Sequence, residues 1–220
     1  MDMTKKQRAA MAVELLEEAY PDAICSLDTE APYELLVSLR LAAQCTDARV
    51  NIVTKELFAD YPTLGALAQA PVEEIERIVR PCGLFHTKAR DISAMTNMLI
   101  SDFGSRVPDT MEELLKLPGV GRKSANLVLG DVYGQPAVVC DTHCIRITGL
   151  LGLIDTKDPY KAEMQLRDCL PMSKANDFCH RLVLHGRAVC VARRPNCQNC
   201  VLASCCSYFL GQRKTARPIA

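Results

Sequence analysis

Four cysteines crowded near one end restrict what this chain can fold into more than any other feature. Cys190, Cys197, Cys200 and Cys206 fall within 17 residues, with six, two and five residues between them. A thiolate quartet at such spacing reads as a metal or cluster site. The pair Cys197 and Cys200 would serve zinc as well as iron, so the quartet alone leaves both open. The same stretch carries Arg187, Arg193 and Arg194 and no acid. A compact loop built around inorganic chemistry, with a positive surface, points to a polyanion as partner.

The net charge of the 220-residue chain is zero, but its distribution is uneven. Residues 178–220 carry seven Lys or Arg and no Asp or Glu, leaving the rest of the chain at −7. A solvated basic surface explains such a segment as well as a nucleic-acid footprint does. At 49% apolar the chain can bury a substantial core, which excludes a disordered protein. No apolar run approaches the length of a membrane span, and the polar, amphipathic start lacks the apolar core of a secretory signal. Twelve cysteines without such a signal point to a reducing compartment, here a cytoplasmic one. Cys25, Cys45, Cys82, Cys140, Cys144, Cys169 and Cys179 then read as free thiols, most of them small core residues.

Apolar spacing is helical nearly throughout, and the fold class is all-α. Thr4 and Gln7 form a capping-box start, and Pro32 opens a second helix. Further helices are expected over 48–59, 72–79, 87–102, 122–131, 160–170 and 174–188. A second capping box at Thr110–Glu113 leads into a helix that Pro118-Gly119-Val120-Gly121 breaks. A domain boundary is expected near Tyr133-Gly134-Gln135-Pro136. It separates a bundle over 25–135 from a helical unit of 136–220, which residues 1–24 join.

Residues 111–131 read helix, tight turn, helix. Gly119 and Gly121 permit positive φ and close backbone approach, and the next helix begins with unpaired N–H groups at Arg122. A phosphate fits there, so the segment reads as a helix-hairpin-helix clamp on a nucleic-acid backbone; a glycine-capped helix connection is the plainer alternative. Lys123 comes next, in the first turn, facing the positive end of the helix dipole. That is a poor seat for a merely decorative cation, and an amine there is a candidate nucleophile. Asp141 lies in an apolar stretch, between Val138-Val139 and Ile145-Ile147. It reads as the N-cap of a helix starting near Thr142, with His143 and Arg146 on its surface, or as a functional carboxylate; the two roles are compatible.

Five motifs in order, LAAQCTD (41–47), CGLFHTKA (82–89), LPGVGRKSAN (117–126), VCDTH (139–143) and the cysteine quartet, resemble the endonuclease III family of DNA repair glycosylases. The resemblance covers essentially the whole chain. It implies a six-helix barrel carrying the helix-hairpin-helix, a second domain carrying one 4Fe-4S cluster, and double-stranded DNA between them. It implies Cys190, Cys197, Cys200 and Cys206 as cluster ligands, with Cys206 chosen over the adjoining Cys205 for its five-residue gap. Lys123 becomes the nucleophile and Asp141 the catalytic carboxylate. Gln44 and Leu84 would enter the duplex where a damaged nucleotide is extruded. Gly119, Val120, Gly121, Arg122, Thr142, His143, Arg146, Arg187, Arg193 and Arg194 complete the expected DNA contacts.

The implied activity is a bifunctional glycosylase and abasic-site lyase, acting as a monomer on oxidised pyrimidines. Arg40 stands near the place where adenine-specific relatives carry Glu, and Lys123 where they lack Lys; both favour the bifunctional branch. A noncatalytic DNA-binding module with a redox-sensing cluster, which would need no Lys123, is the competing reading. A monofunctional mismatch glycosylase is a third.

Overall fold

The computed structural model describes residues 3–215, whose regular elements are all helices, with no strand among them. The chain divides into two compact units, one of residues 25–134 and one of residues 1–24 with 135–220.

The 25–134 unit contains α2 (Pro32–Ala42), α3 (Asp47–Asp60), α4 (Leu64–Ala68), α5 (Val72–Val79), α6 (Phe85–Ser101), α7 (Met111–Leu114) and α8 (Arg122–Asp131). Side chains set most of the starts. The hydroxyls of Thr46, Thr63 and Thr110 accept from backbone N–H groups three residues on, and Pro32 occupies the first turn of α2. Helix α6 packs on α2, α4 and α5, and α2 packs on α3 and α8. Leu36, Leu41, Leu57, Ile75, Ile92, Met95, Leu99 and Val128 are fully buried where they meet. Truncating one leucine in such a core costs about 2–5 kcal/mol.

The other unit contains α1 (Lys5–Ala19), α9 (Thr142–Leu151), α10 (Pro159–Arg167), α11 (Ala175–Ala188) and α12 (Ser207–Thr215). The expected capping box starts α1: Gln7 N–H donates to Thr4 Oγ1 (3.2 Å) and Thr4 N–H to Gln7 Oε1 (3.0 Å). Helix α11 packs on α1 and α9, and α12 on α9. Ala12, Leu16, Cys144, Phe178 and Leu182 fill the space between them. Residues 189–206 connect α11 to α12 with a single turn of 3-10 helix at Cys197–Asn199, so the cysteine-rich loop is seated on α9 and α11.

Candidate active site

In the 25–134 unit, the turn from Leu117 to Gly121 joins α7 to α8. Leu117 and Val120 are buried and anchor it, and Val120 N–H donates to Leu117 O (3.1 Å). Gly119 has φ +75°, and a Cβ there would lie 2.6 Å from Arg40 Cδ and 2.8 Å from Arg40 Nε. Arg40 is itself held by Asp91, Nε to Oδ2 at 2.6 Å. Glycine is therefore needed at 119 for backbone and for space. Gly119→Ala is expected to lower the unfolding free energy by about 1–3 kcal/mol, read by chemical denaturation. A neutral Gly119→Ala would mean that Arg40 and the turn yield freely.

Gly121 corrects the sequence reading. Its φ is −100° with ψ 173°, extended backbone open to any residue, and a Cβ there meets nothing within 4 Å. Its contribution lies elsewhere: as N-cap of α8 it offers no side chain to the N–H groups of the first turn. That start is the positive end of the helix, where an anion is favoured. Lys123 is exposed in that turn, and Arg122 beside it is half-buried.

Three further loops of this unit hold non-glycine residues in the left-handed region, one of them at Ser105 (φ +62°). Gln44, between α2 and α3, has φ +58°, and Leu84, at the N-cap of α6, has φ +48°. Both are exposed, Leu84 by 57%, against the ordinary burial of a leucine.

In the other unit, Asp141 caps α9: Oδ1 accepts from Cys144 N–H at 2.7 Å. Thr142 is exposed. Arg146 departs from the expected surface position. Its Nη1 donates to Cys190 O (2.5 Å) and lies 3.4 Å from Cys190 Sγ, while Nη2 is 3.3 Å from His143 Nδ1. Its guanidinium is engaged with the cysteine loop. This inward turn needs Gly186 on α11, where a Cβ would sit 2.3 Å from His143 Nδ1. Arg187, Arg193 and Arg194 are exposed, but Arg181, counted in the basic segment, is buried and donates Nε–H to Tyr20 O (3.2 Å).

Cys190, Cys197, Cys200 and Cys206 line one cavity, walled by Leu150, Val189 and Phe209. Cys205 stays outside it, fully buried, with Sγ toward Leu202 O (3.4 Å) and its carbonyl accepting from Arg8 Nη1 (2.9 Å). Among the described residues no three His, Cys, Asp or Glu side chains form a group that could hold one metal ion. The four thiols share one cavity.

Burial pushes the Cys200 thiol up to about 11, and Cys190, Cys206 and Cys197 raise it further. Burial also raises Cys190, opposed by Arg146. Such thiols stay protonated unless positive charge enters the cavity. The periodicity gave no sign of two supporting residues. Tyr20 Oη is 3.1 Å from His185 Nδ1, and His185 Nε2 is 3.3 Å from Cys200 Sγ. His185 is fully buried, and burial, then Arg146, lowers it to about 4, so the ring is neutral and can donate to only one of these neighbours. Outside this loop the cysteines are free: Cys82, Cys140, Cys144, Cys169 and Cys179 buried, Cys25 and Cys45 half-buried.

Known proteins share this arrangement. Residues 37–172 match the family described as HhH-GPD superfamily base excision DNA repair protein. Endonuclease III of Synechocystis sp. is 45% identical over 204 residues, covering 92% of this chain and 93% of that protein. Endonuclease III of Bacillus subtilis is 38% identical over 205 residues, covering 93% and 94%. A solved structure described as a trapped endonuclease III–DNA covalent intermediate superposes with TM-score 0.88 at 38% identity, covering 96% of this chain and all of that one.

Proposed function

Since the chain belongs to the endonuclease III family, within the HhH-GPD superfamily of base excision DNA repair proteins, we propose that it removes oxidised pyrimidines from double-stranded DNA and then cuts the strand. The family makes it a DNA glycosylase. The observation that carries the lyase half is the exposed Lys123, in the first turn of a helix whose glycine cap supplies no side chain to the turn's backbone donors. An anionic backbone gripped at those donors brings a sugar to the amine. The partner fits what is exposed: Arg193 and Arg194 on the cysteine loop and the start of α8 suit phosphates. Among the described residues no helix is long and apolar enough to cross a membrane. A monomer in a reducing, nucleoid-containing compartment fits the free thiols.

The chemistry runs in balanced steps. The damaged base leaves the stack, because C1′ is shielded inside a duplex. As the C1′–N bond breaks, the base departs with the bonding pair, and the Asp141 carboxylate stabilises the positive charge left on the sugar. The Lys123 amine donates its lone pair to C1′ and gives up one proton; the C1′–O4′ bond then breaks, O4′ taking a proton, to leave a protonated Schiff base. That iminium makes a C2′ proton acidic. Its removal expels the 3′ phosphate as the C3′–O bond breaks, and water then hydrolyses the imine and frees Lys123.

The thiol cavity fits a 4Fe-4S cluster. Four half-buried cysteines line one cavity, and burial raises the Cys190 and Cys200 thiols, which bound cations would keep ionised. Cys190, Cys197, Cys200 and Cys206 would hold the group, which supplies cationic charge and cross-links the loop. Arg146 and His185 sit beside two of those sulfurs, where they can donate to them. Cys206→Ser is expected to lose most bound iron and sulfide and the visible absorption. Cys205→Ser is expected to keep them, at a stability cost of about 1 kcal/mol. The reverse result would move the fourth ligand to Cys205, and zinc in place of iron would replace the cluster.

The test of function is borohydride reduction of the protein on a duplex with one abasic site, with a panel of duplexes each carrying one defined lesion. A covalent protein–DNA adduct, and release of oxidised pyrimidines over other bases, is the expected result. No adduct would remove the lyase and favour the binding-module reading.

A further inference from the structure

Among the described residues Lys88 is the largest fully buried side chain, and neither the hairpin nor the candidate nucleophile uses it. It lies in the first turn of α6, 0% exposed. Its Nζ donates to Leu41 O at 2.8 Å and to Cys82 O at 2.8 Å. Leu41 is in the last turn of α2, where carbonyls have no helical partner. Cys82 ends the 3-10 turn before α6. One side chain thus ties together the ends of two elements far apart in sequence.

The residues just beyond each anchor give the tie a purpose. Three positions past Leu41 comes Gln44, and two past Cys82 comes Leu84, both exposed and both with left-handed backbone. Such backbone costs about 1–3 kcal/mol per residue and persists only where its surroundings impose it. The Cys45 thiol of one loop also sits near Cys82 of the other, and after burial it helps raise the Cys82 thiol. A methionine would fill the Lys88 site without burying an amine, but would leave the Leu41 and Cys82 carbonyls without this donor.

We propose that Lys88 is a positioning residue that clamps the two loops at a fixed spacing, so that Gln44 and Leu84 enter the duplex as one wedge when the damaged nucleotide is extruded. This rests on the proposed function and on the family expectation that those two side chains enter the duplex. Extrusion breaks stacking and pairing, so a wedge of defined width matters most for a lesion still paired in the helix. A preformed abasic site has no base to expel and depends on the clamp less.

The experiment compares wild type and Lys88→Met on a duplex with one paired oxidised pyrimidine and on the same duplex with a preformed abasic site, each also in a Leu84→Ala background. Lys88→Met is expected to slow excision about tenfold or more and abasic-site cleavage less than about threefold, a difference of at least about 0.7 kcal/mol in barrier. In the Leu84→Ala background the Lys88→Met effect on excision is expected to shrink below about twofold, because the clamp then has no wedge to hold. Equal losses on both substrates, a fully additive double variant, or unchanged excision would each overturn the clamp. If Lys88→Met does not fold, Lys88→Gln, which keeps a donor for one carbonyl, carries the same comparison. A wild type that excises no lesion and forms no adduct would overturn the parent reading and the clamp together. An active wild type matched by its Lys88 variant overturns the clamp alone.

Discussion

Lys123→Ala is expected to form no borohydride-stable adduct with abasic DNA and to lose strand cleavage by about 10³-fold or more, the scale of removing a covalent nucleophile. The substitution is structurally mild. Lys123 is exposed in the first turn of α8, alanine is the strongest helix former, and surface changes of this kind move stability by about 0.5 kcal/mol or less. A cation at a helix N-terminus opposes the dipole, so its removal tends to stabilise α8. Affinity for the duplex should fall only slightly, since the first turn's backbone donors and the Gly119 turn stay in place. The measurement pairs gel-resolved trapping and cleavage with a thermal unfolding curve. An adduct of unchanged yield from a folded Lys123→Ala would show that another amine attacks C1′.

Local chemistry made most of the helices legible, and non-local packing hid the rest. The Thr4–Gln7 box, the α8 segment from Arg122 to Asp131 and the α9 start beside Asp141 are each set by residues within four positions. Helix α4, LGALA, is too short and too poor in polar residues to show a helical stripe. In α12 a basic segment masks a short helix. The Thr110 box is half a box: the Thr110 hydroxyl accepts from Glu113 N–H and donates to the Glu113 carboxylate, which does not reach back to the backbone.

The candidate site divides in the same way. Asp141 as a cap was readable from its neighbours. Lys88 was not, because in sequence it is one cation on an amphipathic helix, and its carbonyl partner at Leu41 lies 47 positions away. His185 and Tyr20, 165 positions apart, carried no periodic signal either. Gly121 shows the converse: a glycine invites an expectation of positive φ that its own backbone does not need.

Asp141→Asn is expected to reduce single-turnover excision by about 10²–10³-fold while folding and iron content hold. The outcome turns on the one bond that its carboxylate makes to the backbone. Asp141 Oδ1 accepts from Cys144 N–H at 2.7 Å, and an asparagine carbonyl caps a helix as well as aspartate does. The substitution therefore keeps the start of α9 and, through Arg146 on the same helix, the support of the Cys190 loop. What it deletes is charge. A neutral amide next to an incipient sugar cation stabilises it far less than a carboxylate in a water-poor site. Asp141→Ala removes the cap as well, and should add about 1 kcal/mol of destabilisation to a similar catalytic loss. Comparing the two separates the roles: equal rates with unequal melting temperatures assign catalysis to charge and folding to the cap. An Asp141→Asn variant that unfolds would give the carboxylate a structural role that the cap alone does not explain, and a folded one that excises at the wild-type rate would remove Asp141 from the chemistry.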